Sequence, residues 1–122
     1  METSLKPVRW IGTSKEDLSR FPLGAKRAIG YALQFAQRGD KHPSTKPLQG
    51  FGGAGVLEVV EARAGNAYRA VYTVRFADVV YVLHAFQKKS TQGRKTPKRE
   101  IDLIRERLRR AEEDYRKHQE RI

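Results

Sequence analysis

Residues 56–61, 67–76 and 79–88 are rich in β-branched and aromatic side chains, and only turn chemistry separates them: Ala-Gly-Asn after the first segment and Ala77-Asp78 after the second. Strands joined by so few residues lie beside their predecessors, so this stretch is expected to form an antiparallel meander. A small meander is marginally stable in water and needs a cover for at least one face.

The flanking segments supply that cover. Within 23–38, Ile29, Ala32, Leu33 and Ala36 recur at helical spacing, and Gly39 offers a C-terminal stop. Near the other end Thr96 reads as an N-cap and Pro97 as the first helical residue. Ile101, Ile104, Leu108, Ala111 and Tyr115 then form one apolar stripe, with fraying expected near His118. Ahead of both helices, residues 8–11 read as a short strand, and Ser14 followed by Asp17 as a capped helix start. Residues 39–55 carry Pro43, Pro47, Gly50, Gly52, Gly53 and Gly55 and read as a loop, without the Gly-Lys-Ser/Thr of a phosphate loop. The expected order is β-α-α-β-β-β-α, a single α+β domain over 1–122 whose meander packs with two N-terminal helices and one C-terminal helix.

Charge narrows the function. Lys and Arg number 25 against 14 Asp and Glu, a net charge of +11, and the sequence pI is near 10.3, which implies an anionic partner, most often nucleic acid. Lys88, Lys89, Arg94, Lys95, Lys98 and Arg99 follow one another with no acidic residue between them. The absence of cysteine excludes disulfides, a thiol nucleophile and cysteine-based zinc sites. His42, His84 and His118 are too far apart to make a local metal motif, so a metal-dependent mechanism is disfavoured and no cofactor is called for. No apolar run approaches the ~18 residues of a membrane span, and the expected address is the cytoplasm.

With a two-residue loop at Ala77-Asp78, Val71 pairs with His84, Arg69 with Phe86 and Ala67 with Lys88. Alternation then gathers Arg69, His84, Phe86 and Lys88 on one face, and Tyr72, Val74, Phe76, Tyr81 and Leu83 on the other, the better core. An odd loop or a bulge would shift the parity and bring Tyr68 over. The first set has the parts of a metal-free ribonuclease: a guanidinium that grips two phosphate oxygens, an imidazole or ammonium for proton transfer, and an aromatic ring on which a base can stack. Each also has a plain structural reading. His84 on an apolar strand suits a core histidine, Arg69 a partner for Glu58 or Glu61, and the basic run a solvated connection.

The stretch Val-Leu-His-Ala-Phe-Gln-Lys-Lys-Ser-Thr at 82–91, Lys-Thr-Pro-Lys-Arg-Glu-Ile at 95–101, Tyr-Arg-Ala-Val-Tyr at 68–72 and Leu-Glu-Val at 57–59 resemble the RelE/HigB-like toxins of bacterial type II toxin–antitoxin systems, in their phage-derived branch. The similarity covers nearly all of residues 6–116. It implies a small α+β ribonuclease fold, cleavage of mRNA on the ribosome, and restraint by a cognate antitoxin, often of helix-turn-helix type. It further implies that Arg69 contacts the scissile phosphate, that Lys88 is the basic position ending the last strand with Lys89 beside it, and that Glu58 is the strand's acidic position; His84 and Phe86 lie in the His-x-Phe motif. Arg94, Lys95, Lys98 and Arg99 complete the RNA-binding set. Two departures stand out: Val60 occupies a position where relatives carry a cation, and no tyrosine matches the one that helps activate the 2′-hydroxyl in RelE. The general base is therefore open among His84, Glu58 and Lys88. A ParE-like toxin that binds DNA gyrase without catalysis, or an RNA-binding module, is the alternative.

Overall fold

The computed structural model describes residues 5–53, 55–89 and 96–120. Along the chain run β1 (Val8–Trp10), α1 (Ser14–Ser19), α2 (Leu23–Gln37), β2 (Thr45–Pro47), β3 (Val56–Arg63), β4 (Asn66–Thr73), β5 (Val80–Lys89) and α3 (Lys98–Glu120). The α+β class and the meander are as expected. The sheet order is β1-β5-β4-β3-β2, with β1 parallel to β5 and every other pair antiparallel.

Helix α2 covers one face and α3 the other, with Leu18 of α1 joining the core on the α2 side. Small residues let α2 lie close to the sheet: Ala25, Ile29, Ala32, Leu33 and Ala36 pack on Val59, Tyr68, Ala70, Tyr72, Val80 and Val82. On the other side Ile104, Leu108 and Ala111 of α3 pack on Val56, Val71, Val79, Tyr81 and Leu83, with Ile101 and Tyr115 at the margins, so the predicted stripe is the buried one. Among the described residues no helix is long and apolar enough to cross a membrane.

Several local expectations are corrected. Residues 45–47, read as loop, form the edge strand β2 against Val59, Glu58 and Leu57. Ser14 does not cap α1: it is the first helical residue, and its hydroxyl donates to the Val82 carbonyl (3.1 Å) while Thr13 takes the N-cap position. Helix α3 continues past His118 to Glu120. Strand β4 ends at Thr73 and β5 begins at Val80, so the connection is longer than Ala77-Asp78.

That longer connection makes Thr73 the partner of Tyr81 and Tyr72 the partner of Val82, one residue out of the expected register. A bulge then restores it: beyond Leu83, Val71 faces His84, Arg69 faces Phe86 and Ala67 faces Lys88. Tyr68 stays on the α2 side, 5.0 Å from the Phe21 ring. On the loop side of the bulge the sorting differs from expectation, because Tyr81 and Leu83 share the α3 side with His84, and Phe76 packs there too; Tyr72 and Val74 are on the α2 side.

The β3–β4 turn has Ala64 at φ 50° and Gly65 at φ 81°, between the paired Arg63 and Asn66. A two-residue loop with both φ values positive suits Asn-Gly, whereas a Cβ of alanine type is strained there. Replacing Ala64 with Asn is expected to stabilise the protein by about 0.5–1 kcal/mol, read as a higher urea midpoint at unchanged slope.

A polar cluster ties β1, β5 and α3 together. The Tyr81 hydroxyl donates to Asp114 Oδ2 (2.6 Å), and Arg9 Nη1 donates to the same carboxylate (3.1 Å) and to Tyr81 (3.3 Å). Burial, and then the bond to Asp114, push the Tyr81 hydroxyl up to about 12 from its ordinary 10.0. Because the folded value exceeds the unfolded one, this contribution to stability is complete below pH 10 and is lost as pH rises toward 12. Thermal midpoints measured across that range should fall less steeply for Tyr81→Phe than for the wild type; equal slopes would refute the assignment.

Candidate functional site

Cross-strand register lays out the α3 side of the sheet as two rows. Lys46 of β2 is the Cα partner of Glu58 on β3, Glu58 of Val71 on β4, and Val71 of His84 on β5; in the next row Val60, Arg69 and Phe86 are partners. Side chains of paired residues project to the same side, so Lys46, Glu58, Arg69, His84 and Phe86 share this face, with Lys88 one row further along opposite Ala67.

Arg69 is buried and donates through Nη1 to Glu58 Oε2 at 3.2 Å, the two side chains being 8% and 16% exposed. Its Nε has no partner. One guanidinium edge therefore holds the carboxylate while other donor capacity is unused by the protein. Of the two candidate partners, Glu58 pairs with Arg69; Glu61 instead pairs with Arg63 at 3.1 Å.

His84 is also buried, and both ring nitrogens have partners. Nε2 is in close hydrogen-bonded contact with Glu100 Oε2, and Nδ1 lies 3.3 Å from Arg107 Nη1. Since a guanidinium can only donate, Nδ1 accepts and Nε2 carries the proton given to Glu100. The Arg107 guanidinium continues to the Leu83 carbonyl (2.9 Å) and Thr13 Oγ1 (3.2 Å), clipping α3 to β5 and to the start of α1. Gly12, at φ 59°, lets it come this close: a Cβ there would stand 3.0 Å from the Arg107 Cζ. Phe86 stacks on the fixed imidazole, with ring centroids 4.8 Å apart and planes inclined at 18°.

The described part of the basic run lies at the end of β5 and the start of α3. Lys88 is half-buried near the end of β5, and Lys89 closes that strand opposite Asn66. Lys98 and Arg99 are exposed at the start of α3, Lys98 bonded to Asp102 (3.1 Å) and Arg99 3.7 Å from Glu100. Arg94, Lys95 and the side chain of Lys89 lie outside what is described.

Glu58 opens into a cleft of about 780 Å³ between β2, the residues after it and the start of α3, where Lys46 and Lys98 supply cations. A shallower groove of about 340 Å³ beside it is bordered by His84, Phe86, Glu100, Asp17 and Arg20.

Lys46, Glu100 and Arg107 are additions to the residues identified from the sequence. Lys46 went unread because its strand did. Glu100 and Arg107 stand two helical turns apart, both along one edge of the apolar stripe through Ile104 and Leu108, and that placement was a usable signal for burial of charge.

Fold and site together define a small basic α+β domain in which a carboxylate, backed by a buried guanidinium, lines a cleft that also carries two lysines. The chain belongs to the family described as Phage derived protein Gp49-like (DUF891), whose model matches residues 16–109. This is the phage-derived branch to which the 82–101 block pointed. Among solved structures the chain is similar to one in the crystal structure of the toxin–antitoxin complex RelBE2 from Mycobacterium tuberculosis, at 26% identity over 73% of this chain and 98% of that one, with a TM-score of 0.38. A search of the curated proteins finds no match.

Proposed function

We propose that this protein is a toxin of a type II toxin–antitoxin system, a metal-independent endoribonuclease that cuts mRNA on the ribosome in the cytoplasm. The observation that carries this reading is the Glu58–Arg69 pair, 3.2 Å apart, whose carboxylate lines the cleft while the buried guanidinium lies behind it. In the proposed reaction Glu58 accepts the proton of a ribose 2′-hydroxyl, whose oxygen attacks the adjacent phosphorus. Arg69 donates to the equatorial oxygens as the phosphorane gains charge. The P–O5′ bond breaks, and the departing oxygen takes a proton from an ammonium, for which Lys88 is the family position on this face. The products are a 2′,3′-cyclic phosphate and a 5′-hydroxyl end.

Of the three residues open as general base, Glu58 fits best. Both nitrogens of His84 are engaged by Glu100 and Arg107, so its part is to hold the Phe86 ring on which a base stacks. A cognate antitoxin, of helix-turn-helix type or another, would silence the enzyme by covering this basic face.

Primer extension on transcripts after brief expression tests the proposal: discrete cuts are expected, and their absence would overturn it. DNA damage without cuts would favour a gyrase-binding toxin, a reading to which the burial of the Glu58–Arg69 pair also lends itself, since an ion pair can be purely structural.

A further inference from the structure

We infer that the cleft between β2 and the start of α3 binds one nucleotide of single-stranded RNA, its phosphate held by Lys46 and Lys98 and its base lying against Pro47 and Ile101 with Gln49 at the base edge. The inference deepens the ribonuclease reading by assigning the subsite next to Glu58, and it rests on that reading for the direction of the chain.

Four observations support it. The space, about 780 Å³, is within the ordinary range of small-ligand sites, roughly 300–1,000 Å³. Its lining is mixed in the way a nucleotide requires: Pro47 and Ile101 offer apolar surfaces to a base, and Lys46 and Lys98 supply cations, Lys98 from an exposed ion pair with Asp102 that a phosphate would compete for. Lys46 is the cross-strand partner of Glu58, so its side chain projects from the same face and adds a positive charge near a pair whose own charges offset each other. Finally, the wall is held in place from outside the cleft. Arg105 donates to the Gly50 carbonyl at 2.8 Å and lies over the Phe51 ring at 4.7 Å, fixing the residues that follow Gln49 against α3. A positioned wall is what allows an amide, with one acceptor and two donor hydrogens, to distinguish one base edge from another.

An acidic peptide would satisfy the lysines but would leave the apolar surfaces and the amide unused. RNA uses all three.

The test is equilibrium binding, by fluorescence anisotropy, of 2′-O-methyl RNA hexamers that differ in one central base and cannot be cleaved. For the intact protein a salt-dependent affinity with a preference among the four bases is expected. Lys46→Ala and Lys98→Ala should each weaken binding about three- to fivefold and flatten the slope of log affinity against log salt by about 0.7. Gln49→Ala should leave that slope unchanged and erase the base preference, and Arg105→Ala should blunt the preference through the displaced wall. The inference is overturned by variants that bind with the slope and preference of the wild type, by failure of the wild type to bind the hexamers, or by a glutamate-rich peptide binding in their place. Binding as expected without any cut in cellular transcripts would sink the nuclease reading and leave the nucleotide site standing.

Discussion

Arg69→Lys is expected to lower the rate of RNA cleavage by about thirtyfold or more, corresponding to about 2 kcal/mol of transition-state stabilisation, while the protein stays folded. Lysine is the informative replacement. It keeps a cation near Glu58, whereas alanine would leave a carboxylate only 16% exposed without its partner, at a cost of roughly 3–5 kcal/mol in stability that would confound the rate. What lysine lacks is the planar fork that can hold the carboxylate on one edge and phosphate oxygens on another. Initial rates of the purified protein with ribosomes and a defined message, set beside urea midpoints, separate the two effects. An unchanged rate would reject Arg69 as the group that stabilises the phosphorane. Glu58→Gln should lose activity to a similar degree, since the amide cannot accept the 2′-hydroxyl proton.

The second large effect falls on stability. Arg107→Met should cost about 2–4 kcal/mol, because bonds from a charged donor contribute about 1.5–3 kcal/mol each and their buried acceptors are left behind. The acceptors are the Leu83 carbonyl at 2.9 Å and His84 Nδ1 at 3.3 Å, with Thr13 Oγ1 at 3.2 Å nearer the surface. Methionine fills much of the same volume, so a cavity contributes little. Burial holds the Arg107 guanidinium below its ordinary value, and its Nε has no partner, both of which temper the loss. Urea unfolding should show a lower midpoint with the slope unchanged, and a shift below about 0.5 kcal/mol would show that this clip contributes little to stability. Cleavage should fall as well, although Arg107 lies behind His84, because the ring supporting Phe86 would no longer be fixed.

How much of this was legible in the letters differs from element to element. The two long helices and the meander were, because Ile29 to Ala36 and Ile101 to Tyr115 repeat at helical spacing and the strands are dense in β-branched residues. Strand β2 was not: it has three residues, one of them Pro47, and it exists because β3 offers it an edge, which is a tertiary cause without a local signature. The pairing of Arg69 with Phe86 was placed correctly for a reason that was only half right. A seven-residue gap between Thr73 and Tyr81 shifts the register by one, and the extra residue at Leu83 shifts it back. Two irregularities cancelled, so the site end of the hairpin matched and the loop end did not. For the site, Glu58 and Arg69 were found as a pair among alternatives. The engagement of His84 was invisible because Glu100 and Arg107 come from a helix whose docking angle no spacing rule supplies.

The bulge at Leu83 makes the two ends of the hairpin tolerant of different changes. Upstream of it, the span around Phe76 and Asp78 can be lengthened or shortened with only neighbouring side chains feeling the change, so long as the compensating kink remains. Removing Leu83 itself, the extra residue between the Tyr72–Val82 and Val71–His84 pairs, would join those pairs in regular register and keep every other side chain in its layer, at the cost of one buried leucine and of the carbonyl that accepts from Arg107. Deleting a paired residue such as Ala85 has no such neutral outcome, because it would carry Phe86 and Lys88 to the opposite layer from His84.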